Sequence, residues 1–350
     1  MLSNYLPQQI NTGPWVTAYT LDGLRRLPAD IEFVLPICSL ATPYHDLAQL
    51  GDLLLPPLFH EALDDNLRQR IVDRILQCFP AYDRMDENRQ RVRVVDIPAA
   101  PLPAVASTKA LAFSVDTAVE EHGPHLPLAT DTIQSYSVLN ALADRIDGLL
   151  VGRPLEYGQL TWGLPFGFSV DLTAELLTGY VTQFANAIEK WHHAEALYVV
   201  DVHGSITHRQ AIVEGLQSSN VERWSFRWLH EPLVEFASFR GDQHAGGVET
   251  ALVEYTNPAL LDPDWWPDRL EELADHQMSV EKAVELTPDL PRFIDYAATH
   301  ASNGIIGNIL NYRDLDPNDL FRRMLQLAHD DVQQLISDQP IQQNAGEQFW

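Results

Sequence analysis

Residues 196–205 read ALYVVDVHGS, a run of apolar and β-branched side chains that ends in a polar turn. A continuous apolar run of this length is typical of a strand buried on both faces of a parallel sheet. Similar runs occur at 111–120, 149–158 and 224–230, and helical patterns lie between them at 131–146, 172–191 and 209–217. Such alternation predicts βαβ units. We therefore expect an α/β fold, a three-layer αβα sandwich with a mostly parallel central sheet.

The first third of the chain has a less regular pattern. Residues 31–40 (IEFVLPICSL) and 91–97 (RVRVVDI) predict strands, and residues 61–78 predict a helix with an apolar residue at every fourth position. The Pro- and Ala-rich stretch 98–107 is typical of a connector. We therefore divide the chain into an N-terminal extension, residues 1–105, and a larger domain, residues 106–340.

The charge balance limits the classes of function. The 350-residue chain has 23 basic and 49 acidic side chains, a formal net charge of −26. Such a surface repels phosphate backbones and anionic lipids, which disfavours nucleic-acid and membrane-surface functions. Two cysteines, Cys38 and Cys78, offer no disulfide framework. The first residues do not resemble a secretory signal, and no apolar stretch approaches the roughly 20 residues of a membrane span, so we expect a soluble cytoplasmic protein.

Three polar clusters each begin where an apolar strand ends. The first is EEHGPHLP (120–127), which Asp131 closes. In an extended segment, residues two apart point to the same side, so Glu120 and His122 can converge on one point. Two carboxylates and an imidazole from one loop are suitable metal ligands. The structural alternative is that Asp131 caps a helix while the histidines face solvent.

The other two clusters have structural alternatives of their own. DVHGS (201–205) positions His203 at the end of the strongest predicted strand, where a lone histidine is more often structural. DQHAGGVET (242–250) contains two glycines before a predicted helix, and Glu249 would lie in the first turn of that helix. An acidic residue there also interacts favourably with the helix dipole. Each cluster alone therefore fits both a functional and a structural role.

Together, the three clusters resemble the creatininase family in order and spacing. EEHGPHLPLATD is similar to the metal-binding loop of that family, VDVHGS to its Asn-Gly-His-Gly-Gly-Asn strand end, and DQHAGGVETALVEYTNPALLD to its His-Ala-Gly-x-x-Glu-Thr helix start. A weaker likeness is SNGIIGN (302–308), where the family has a Gly-rich turn. The resemblance covers roughly residues 108–338 and implies the αβα fold of the family.

The resemblance also implies a site for two divalent metal ions. Glu120 and His203 would hold one ion and His122 the other, with Asp131 bridging them. Glu249, which matches the Glu of the helix-start motif, would supply the remaining ligand. Carboxylates and imidazoles suit zinc, manganese and iron alike, so the metal stays open.

Two histidines are candidates for proton transfer to the leaving nitrogen of an amide. His244 matches the family's proposed proton donor and acceptor, and the ordinary pKa of histidine lies near working pH. His125 is a reserve for this role, although it also fits a residue that positions the loop. We expect the other histidines, such as His192, His193 and His208, to be surface residues.

Several positions depart from the family pattern. Asp201 and Val202 replace the usual Asn-Gly, and Ile206 stands where the family has Asn. Ser205 occupies a position at which some members have an acidic ligand. These positions support the ligand histidine and the floor of the cleft, so the departures affect substrate orientation most. We expect a divergent but competent member of the family.

The extension contains a further likeness to the first cluster, in VLPICSLATPYHDLAQLGD. On that alignment Ala41 takes the Glu position, Pro43 the His position and Asp52 the bridging Asp position. The segment is either a degenerate copy of the motif or a chance likeness. In both cases we expect it not to bind metal.

Residues and resemblance together predict a hydrolase that acts on carbon–nitrogen bonds other than peptide bonds. A metal-activated hydroxide would attack the amide of a small cyclic or formamide substrate. Tyr157, Trp162 and Phe166 either form cleft walls for a flat ligand or belong to the core. The alternatives are a metal-dependent peptidase acting on a modified peptide and a non-catalytic binding subunit. The resemblance also implies a homo-oligomer, often a hexamer.

Overall fold

Eight strands follow the apolar runs of the sequence in the part of the chain that the structure describes. That structure is a computed structural model, and it describes residues 14–28, 31–81, 92–99, 101–236 and 243–337. The strands are β1 (Phe33–Cys38), β2 (Leu53–Leu54), β3 (Leu58–Phe59), β4 (Val92–Asp96), β5 (Ala110–Ser114), β6 (Leu149–Val151), β7 (Leu197–Asp201) and β8 (Trp224–Trp228). Arg91 of a predicted strand and Asp242 of the third polar cluster lie outside the described residues.

Helices fill most of the intervals between these strands. The α-helices are α1 (Leu21–Arg25), α2 (Tyr44–Leu47), α3 (Asp65–Ala81), α4 (Thr130–Ala143), α5 (Ala174–His192), α6 (Ile206–Gln217), α7 (Gly247–Thr256), α8 (Leu270–Asp275), α9 (Val280–Leu286), α10 (Leu290–Thr299) and α11 (Pro317–Ile336). Short 3-10 helices lie at Val16–Ala18, His60–Ala62, Leu164–Phe166, Glu231–Leu233, Pro258–Leu260 and Ile309–Asp314. Among the described helices, none has both the length and the apolar character that crossing a membrane requires.

The strands form two four-stranded sheets. The one with more residues, here called the larger sheet, has the strand order β6-β5-β7-β8 and is parallel throughout. Helices α4, α7 and α11 contact one another, and α5 packs against α6 and α3. The two central strands, β5 and β7, are completely buried, as their continuous apolar sequences require. The predicted α/β architecture, a parallel sheet with helices on both sides, is confirmed.

Strand β1 is the centre of a second parallel sheet, in which it pairs with β2, β3 and β4. This sheet shares one apolar core with the larger one. The ring centroids of Phe59 and Phe184 lie 6.4 Å apart, and those of Phe184 and Phe113 lie 5.3 Å apart. The division of the chain at residue 105 stays a prediction, as does the likeness of the loop after β1 to the metal motif.

Two helices begin elsewhere than predicted, because capping side chains set their first turns. Helix α3 begins at Asp65 rather than at residue 61, since Asp64 accepts a hydrogen bond from the Leu67 N–H at 2.8 Å. Helix α6 begins before residue 209, because the Ser205 hydroxyl accepts a hydrogen bond from the His208 N–H at 3.3 Å. Ser205 is thus the N-cap of this helix.

Residues 262–303, here called the cap, contain α8, α9 and α10. The cap packs through two small apolar clusters that are separate from the main core. One cluster includes Trp266 and Leu273, and the other includes Leu286 and Phe293. These clusters also include residues from outside the cap, such as Leu21 and Leu126, so the cap packs against distant parts of the chain.

The N-terminal extension is paired with the loop that carries the first polar cluster. Residues 17–20, here called the strap, lie alongside this loop. The Leu128 N–H donates to the Tyr19 carbonyl at 2.9 Å, and the Ala129 N–H donates to the Thr17 carbonyl at 3.0 Å. The strap thus fixes the backbone just before Asp131.

The buried carboxylate of Asp262 connects the extension to the cap. It accepts hydrogen bonds from the Thr20 hydroxyl at 2.8 Å and from the Arg26 guanidinium at 2.5 Å. The Asp262 N–H in turn donates to the His125 carbonyl at 3.0 Å. One residue therefore links the strap, the cap and the loop of the first polar cluster.

Replacing Asp262 by Ala should destabilise the protein, because the buried Thr20 hydroxyl loses its acceptor and Arg26 loses its buried partner. We expect the free energy of unfolding to fall by about 2 kcal/mol, as is typical for hydrogen bonds to a charged group. The matched control is Asp264→Ala, since Asp264 pairs with the same Arg26 but is 64% exposed. We expect the free energy of unfolding of this control to fall by no more than about 0.5 kcal/mol. Equal losses in urea unfolding of both variants would contradict this account.

Candidate metal centre

The polar clusters meet where the neighbouring strands β5 and β7 end. Because these strands are parallel and adjacent, the segments that follow them leave the same edge of the sheet. The segment that leads into α7 reaches the same place. All five predicted ligands are brought together there: Glu120, His122, Asp131, His203 and Glu249.

One half of the centre contains Glu120, Asp131 and His203. The Nδ1 of His203 lies 3.1 Å from Glu120 Oε2 and 3.4 Å from Asp131 Oδ2. The Thr117 hydroxyl donates to Asp131 Oδ2 at 2.8 Å and also bonds to Glu120. Sequence analysis missed Thr117, although its position at the end of the same predicted strand was an available signal. Its hydroxyl holds the two carboxylates in place.

The other half contains His122, Glu249 and His244. The Nδ1 of His122 donates to the Glu120 carbonyl at 3.0 Å, so Nε2 is the nitrogen that points at the carboxylates. This nitrogen lies 3.3 Å from Asp131 Oδ1 and 4.0 Å from Glu249 Oε2. The ring centroids of His122 and His244 lie 4.5 Å apart. A hydrogen bond from the far nitrogen to a carbonyl is a common way to orient a metal-binding imidazole.

The side chains fit divalent cations. Two groups of three have ligand atoms within 4.8 Å of one another: Glu120, His122 and Asp131, and His122, His244 and Glu249. Among the described residues, three buried atoms of the centre have no hydrogen-bond partner: Glu120 Oε1, His122 Nε2 and His203 Nε2. Leaving such atoms unpaired in a protein interior is unfavourable. A bound cation would satisfy oxygen and imidazole nitrogen alike.

Opposite charges stabilise the ionised forms of two of these carboxyls. Burial alone would raise the pKa of Asp131, but the nearby charges of His122 and His203 hold it well below its usual value. The pKa of Glu120 is likewise lowered, mainly by His203 against the effect of burial. Burial lowers the pKa of His122, but Asp131 outweighs it and raises that pKa to about 10. A cation must therefore displace a proton from His122, and metal affinity should fall as the pH falls.

His244 lines a cavity at the centre together with four of the five predicted ligands: Glu120, Asp131, His203 and Glu249. Its Nε2 donates to the Glu121 carbonyl at 2.9 Å, which leaves Nδ1 facing Glu120 Oε1 at 3.9 Å. Backbone hydrogen bonds with Ile306, at 3.0 and 2.9 Å, tie it to the SNGIIGN segment. The SNGIIGN segment, which has the weaker likeness to the Gly-rich turn of the family, thus lies beside the centre. His244 fits either a metal ligand or a group that transfers a proton.

His125 does not line the cavity. Its Nε2 donates to the Thr250 hydroxyl at 2.8 Å, and its ring lies 5.9 Å from that of Trp266. Burial lowers the pKa of His125 to about 3, so the ring is neutral at physiological pH. These contacts suit a residue that positions the loop better than one that transfers a proton.

The expectation that His192 and His208 lie at the surface is wrong, since both are buried, whereas His193 is exposed. The Nε2 of His208 donates to the Val115 carbonyl at 2.9 Å, and its Nδ1 accepts from the Gln159 N–H at 3.1 Å. Its ring packs edge-on against His203, with centroids 5.1 Å apart. His208 therefore supports the ring of a predicted ligand.

The departures from the family pattern have structural consequences at three positions. Burial and the nearby Asp116 raise the pKa of Asp201 well above its usual value, and Asp201 Oδ1 lies 3.6 Å from His208 Nε2. Ser205 caps α6 and donates to Gln159 Oε1 at 2.8 Å, so it serves structure. Ile206 is 42% exposed and lines the cavity.

The three aromatic residues considered as cleft walls have different positions. Trp162 lines the cavity, and its Nε1 donates to the Thr287 hydroxyl at 3.0 Å. Tyr157 is buried in the core, where its hydroxyl donates to the Pro56 carbonyl at 2.7 Å. Phe166 belongs to an apolar cluster of the cap. Only Trp162 of these three residues is a wall of the cleft.

The cavity at the centre has a volume of about 430 Å³. This lies within the roughly 300–1,000 Å³ that is usual for small-molecule sites. Its lining includes carboxylates and imidazoles of the centre. The lining also includes Trp162, Ile206, Val284 and Pro288. A ligand in this cavity would therefore touch a charged surface and an apolar surface together.

A parallel α/β fold with carboxylates and histidines clustered at its strand ends is suited to holding divalent metal ions. The model of the creatininase family, described as creatinine amidohydrolase, matches residues 103–310. This chain belongs to the creatininase family, which is metal-dependent. The resemblance noted in the sequence is confirmed.

Curated relatives match over part of their length. The chain is 28% identical over 150 residues to the mycofactocin precursor peptide peptidase of Mycobacterium ulcerans (strain Agy99), covering 41% of this chain and 56% of the relative. It is 25% identical over 156 residues to the protein of the same name from Mycobacterium tuberculosis (strain ATCC 25618 / H37Rv), covering 42% and 59%. This chain thus spans little more than half the length of these relatives.

Solved structures of similar fold include a creatinine amidohydrolase (creatininase), with 20% identity and a TM-score of 0.48. That match covers 65% of this chain and 91% of the solved chain. A chain described as Creatininase Mn has 21% identity, the same TM-score of 0.48 and the same coverage.

Asp131→Asn should weaken binding of zinc or manganese by roughly 100-fold or more. This exceeds the loss of about 10–100-fold in metal affinity that is typical when a residue hydrogen-bonded to a metal ligand is replaced. Isothermal titration of the metal-free chain measures this. The matched control is Asp116→Asn, because Asp116 is also fully buried near the centre but belongs to neither candidate ligand group. We expect it to keep its metal affinity within a few-fold. Equal weakening in both variants would show that the effect is not specific to the proposed ligands.

Proposed function

We propose that this protein is an amidohydrolase with a binuclear metal centre, which cleaves a C–N amide bond of a small substrate. The observation that carries the proposal is the convergence of five buried side chains from three distant segments, several with unpaired atoms. Membership of the creatininase family supports the same class of reaction.

We assign Glu120 and His203 to one ion, His122 and Glu249 to the other, and Asp131 to a bridging position. The two candidate ligand groups meet at His122, and because one imidazole nitrogen binds a single ion, we assign His122 to one ion only. Asp131 suits the bridge because its two oxygens face different imidazoles, Oδ1 towards His122 and Oδ2 towards His203. Zinc, manganese and iron all fit these donors.

Divalent ions held in this way would polarise the substrate carbonyl and lower the pKa of a bound water molecule towards neutrality. The chain's own residues would supply proton transfer and orientation. We assign His244 the proton transfer, because its Nε2 is engaged by the Glu121 carbonyl and Nδ1 is the nitrogen left to face the cavity. An amide nitrogen must be protonated to leave, so a positioned imidazole is required.

A metal-dependent peptidase is the second candidate. The observation in its favour is that the matched curated relatives are named mycofactocin precursor peptide peptidases. The same centre would serve a peptide bond, and a modified peptide would need the cavity to open towards solvent. A non-catalytic binding subunit is the third candidate, suggested by the changes at residues 201–206.

The purified protein should contain about two divalent ions per chain by elemental analysis. It should hydrolyse at least one probe from a set of cyclic amides, formamides and short peptides, followed by mass spectrometry. A chelator should abolish the activity and added metal should restore it. Hydrolysis confined to the peptides would favour the peptidase. A chain with neither metal nor hydrolysis would contradict the enzymatic proposals and leave the binding subunit.

His244→Asn should lower kcat by about 10²–10⁴-fold, the usual contribution of a general acid or base. If His244 transfers a proton, the variant keeps the metal content of the wild-type protein. If His244 is instead a ligand, metal content and kcat fall together. Measuring both on the same sample separates these roles, and an unchanged kcat would exclude both.

We also propose a cytoplasmic homo-oligomer, with a hexamer expected from the family resemblance. Light scattering of the purified chain tests the oligomeric state.

A further inference from the structure

The cavity that holds the proposed metal ligands also has apolar lining residues, here called the apolar wall: Trp162, Ile206, Val284 and Pro288. Among the described residues, four large apolar side chains are exposed: Val94, Ile206, Tyr255 and Val284. Two of these, Ile206 at 42% and Val284 at 58%, line this one cavity. Apolar side chains that gather at the mouth of a polar site usually mark a binding surface.

This wall is held in a defined position. The Thr287 hydroxyl accepts a hydrogen bond from Trp162 Nε1 at 3.0 Å and donates to the Ala283 carbonyl at 2.8 Å, which connects the end of α9 to Trp162. Ala283 itself is buried in an apolar cluster of the cap. Ile206 is the first residue of α6, directly after the N-cap Ser205. The apolar surface is therefore formed before any ligand binds.

The charges around the cavity restrict what can lie against this wall. The described residues that line it include Glu120, Asp131 and Glu249 but no Lys or Arg. The nearby Arg209 is buried, and its guanidinium lies over the Trp228 ring at 4.5 Å from the centroid. An anionic group of a ligand at the apolar wall would thus lose water without gaining a cationic partner among these residues, which is unfavourable. A cationic group would be attracted to the carboxylates rather than to the apolar side chains.

Building on the proposed function, we propose that the substrate carries an uncharged apolar group, aromatic or branched aliphatic, that packs against Ile206 and Val284. The scissile amide then reaches the carboxylate and imidazole side of the same cavity. Trp162 adds an aromatic face for a planar group. The substrate class is an amide with an apolar, uncharged substituent, and the apolar wall selects it.

Hydroxamates test this inference, because the hydroxamate group chelates the metal pair while its substituent lies against the wall. The probes are acetohydroxamate, 3-phenylpropanohydroxamate and the para-carboxylate of the latter, titrated calorimetrically into the metal-loaded full chain. The phenyl compound should bind about tenfold or more tightly than acetohydroxamate, as burial of a ring implies. The carboxylate should lose this gain.

The variant Ile206→Ala/Val284→Ala should lose most of the gain, measured as the ratio of the two dissociation constants. Val94→Ala is the matched control, since Val94 is an exposed valine on β4 that does not line the cavity. The Val94→Ala variant should keep the ratio of dissociation constants measured for the unaltered chain.

Two outcomes would overturn the inference in different ways. Equal affinity for the phenyl and methyl probes, or a gain that survives the double substitution, would exclude the apolar subsite while leaving the proposed function intact. No binding of acetohydroxamate to the metal-loaded chain would contradict the metal centre and, with it, the subsite.

Discussion

Three carboxylates, Glu120, Asp131 and Glu249, are buried around one point in this protein, and like charges in a protein interior repel one another strongly. The imidazoles of His122 and His203 offset part of this repulsion and keep Asp131 and Glu120 ionised. Several buried oxygens and nitrogens still have no partner among the described residues. Cations are the natural complement to such a cluster. The same cluster of buried charges therefore accounts for the shifted pKa values and for the proposed binding of metal ions.

The fold holds these charges at fixed positions. Adjacent parallel strands bring the first two polar clusters to one edge of the sheet, and Thr117 and His208 then orient the carboxylates and the His203 ring. The strap adds two backbone hydrogen bonds to the loop just before Asp131. The extension, which lies outside the part of the chain that matches the family model, thus supports the part that matches it.

The cap supplies part of the surface of the cavity. Val284 and Pro288 come from the cap, and Ile206 replaces a polar residue of the family pattern. These residues add an apolar surface to a cavity that also carries the carboxylates and imidazoles of the centre. In our proposal the charged residues hold the metal ions and the apolar residues select the substrate.

The sequence alone predicted the elements and the candidate ligands that depend on local pattern. Continuous apolar runs predicted β5 and β7, and the spacing of Glu120, His122 and Asp131 predicted a metal loop, because side-chain direction follows from position along a strand. Other features depended on contacts between residues far apart in the chain. The burial of His208 and the link from Thr20 to Asp262 were decided by the tertiary structure. Local periodicity carries no information about which distant surface packs against a residue, so those features could be known only once the chain was folded.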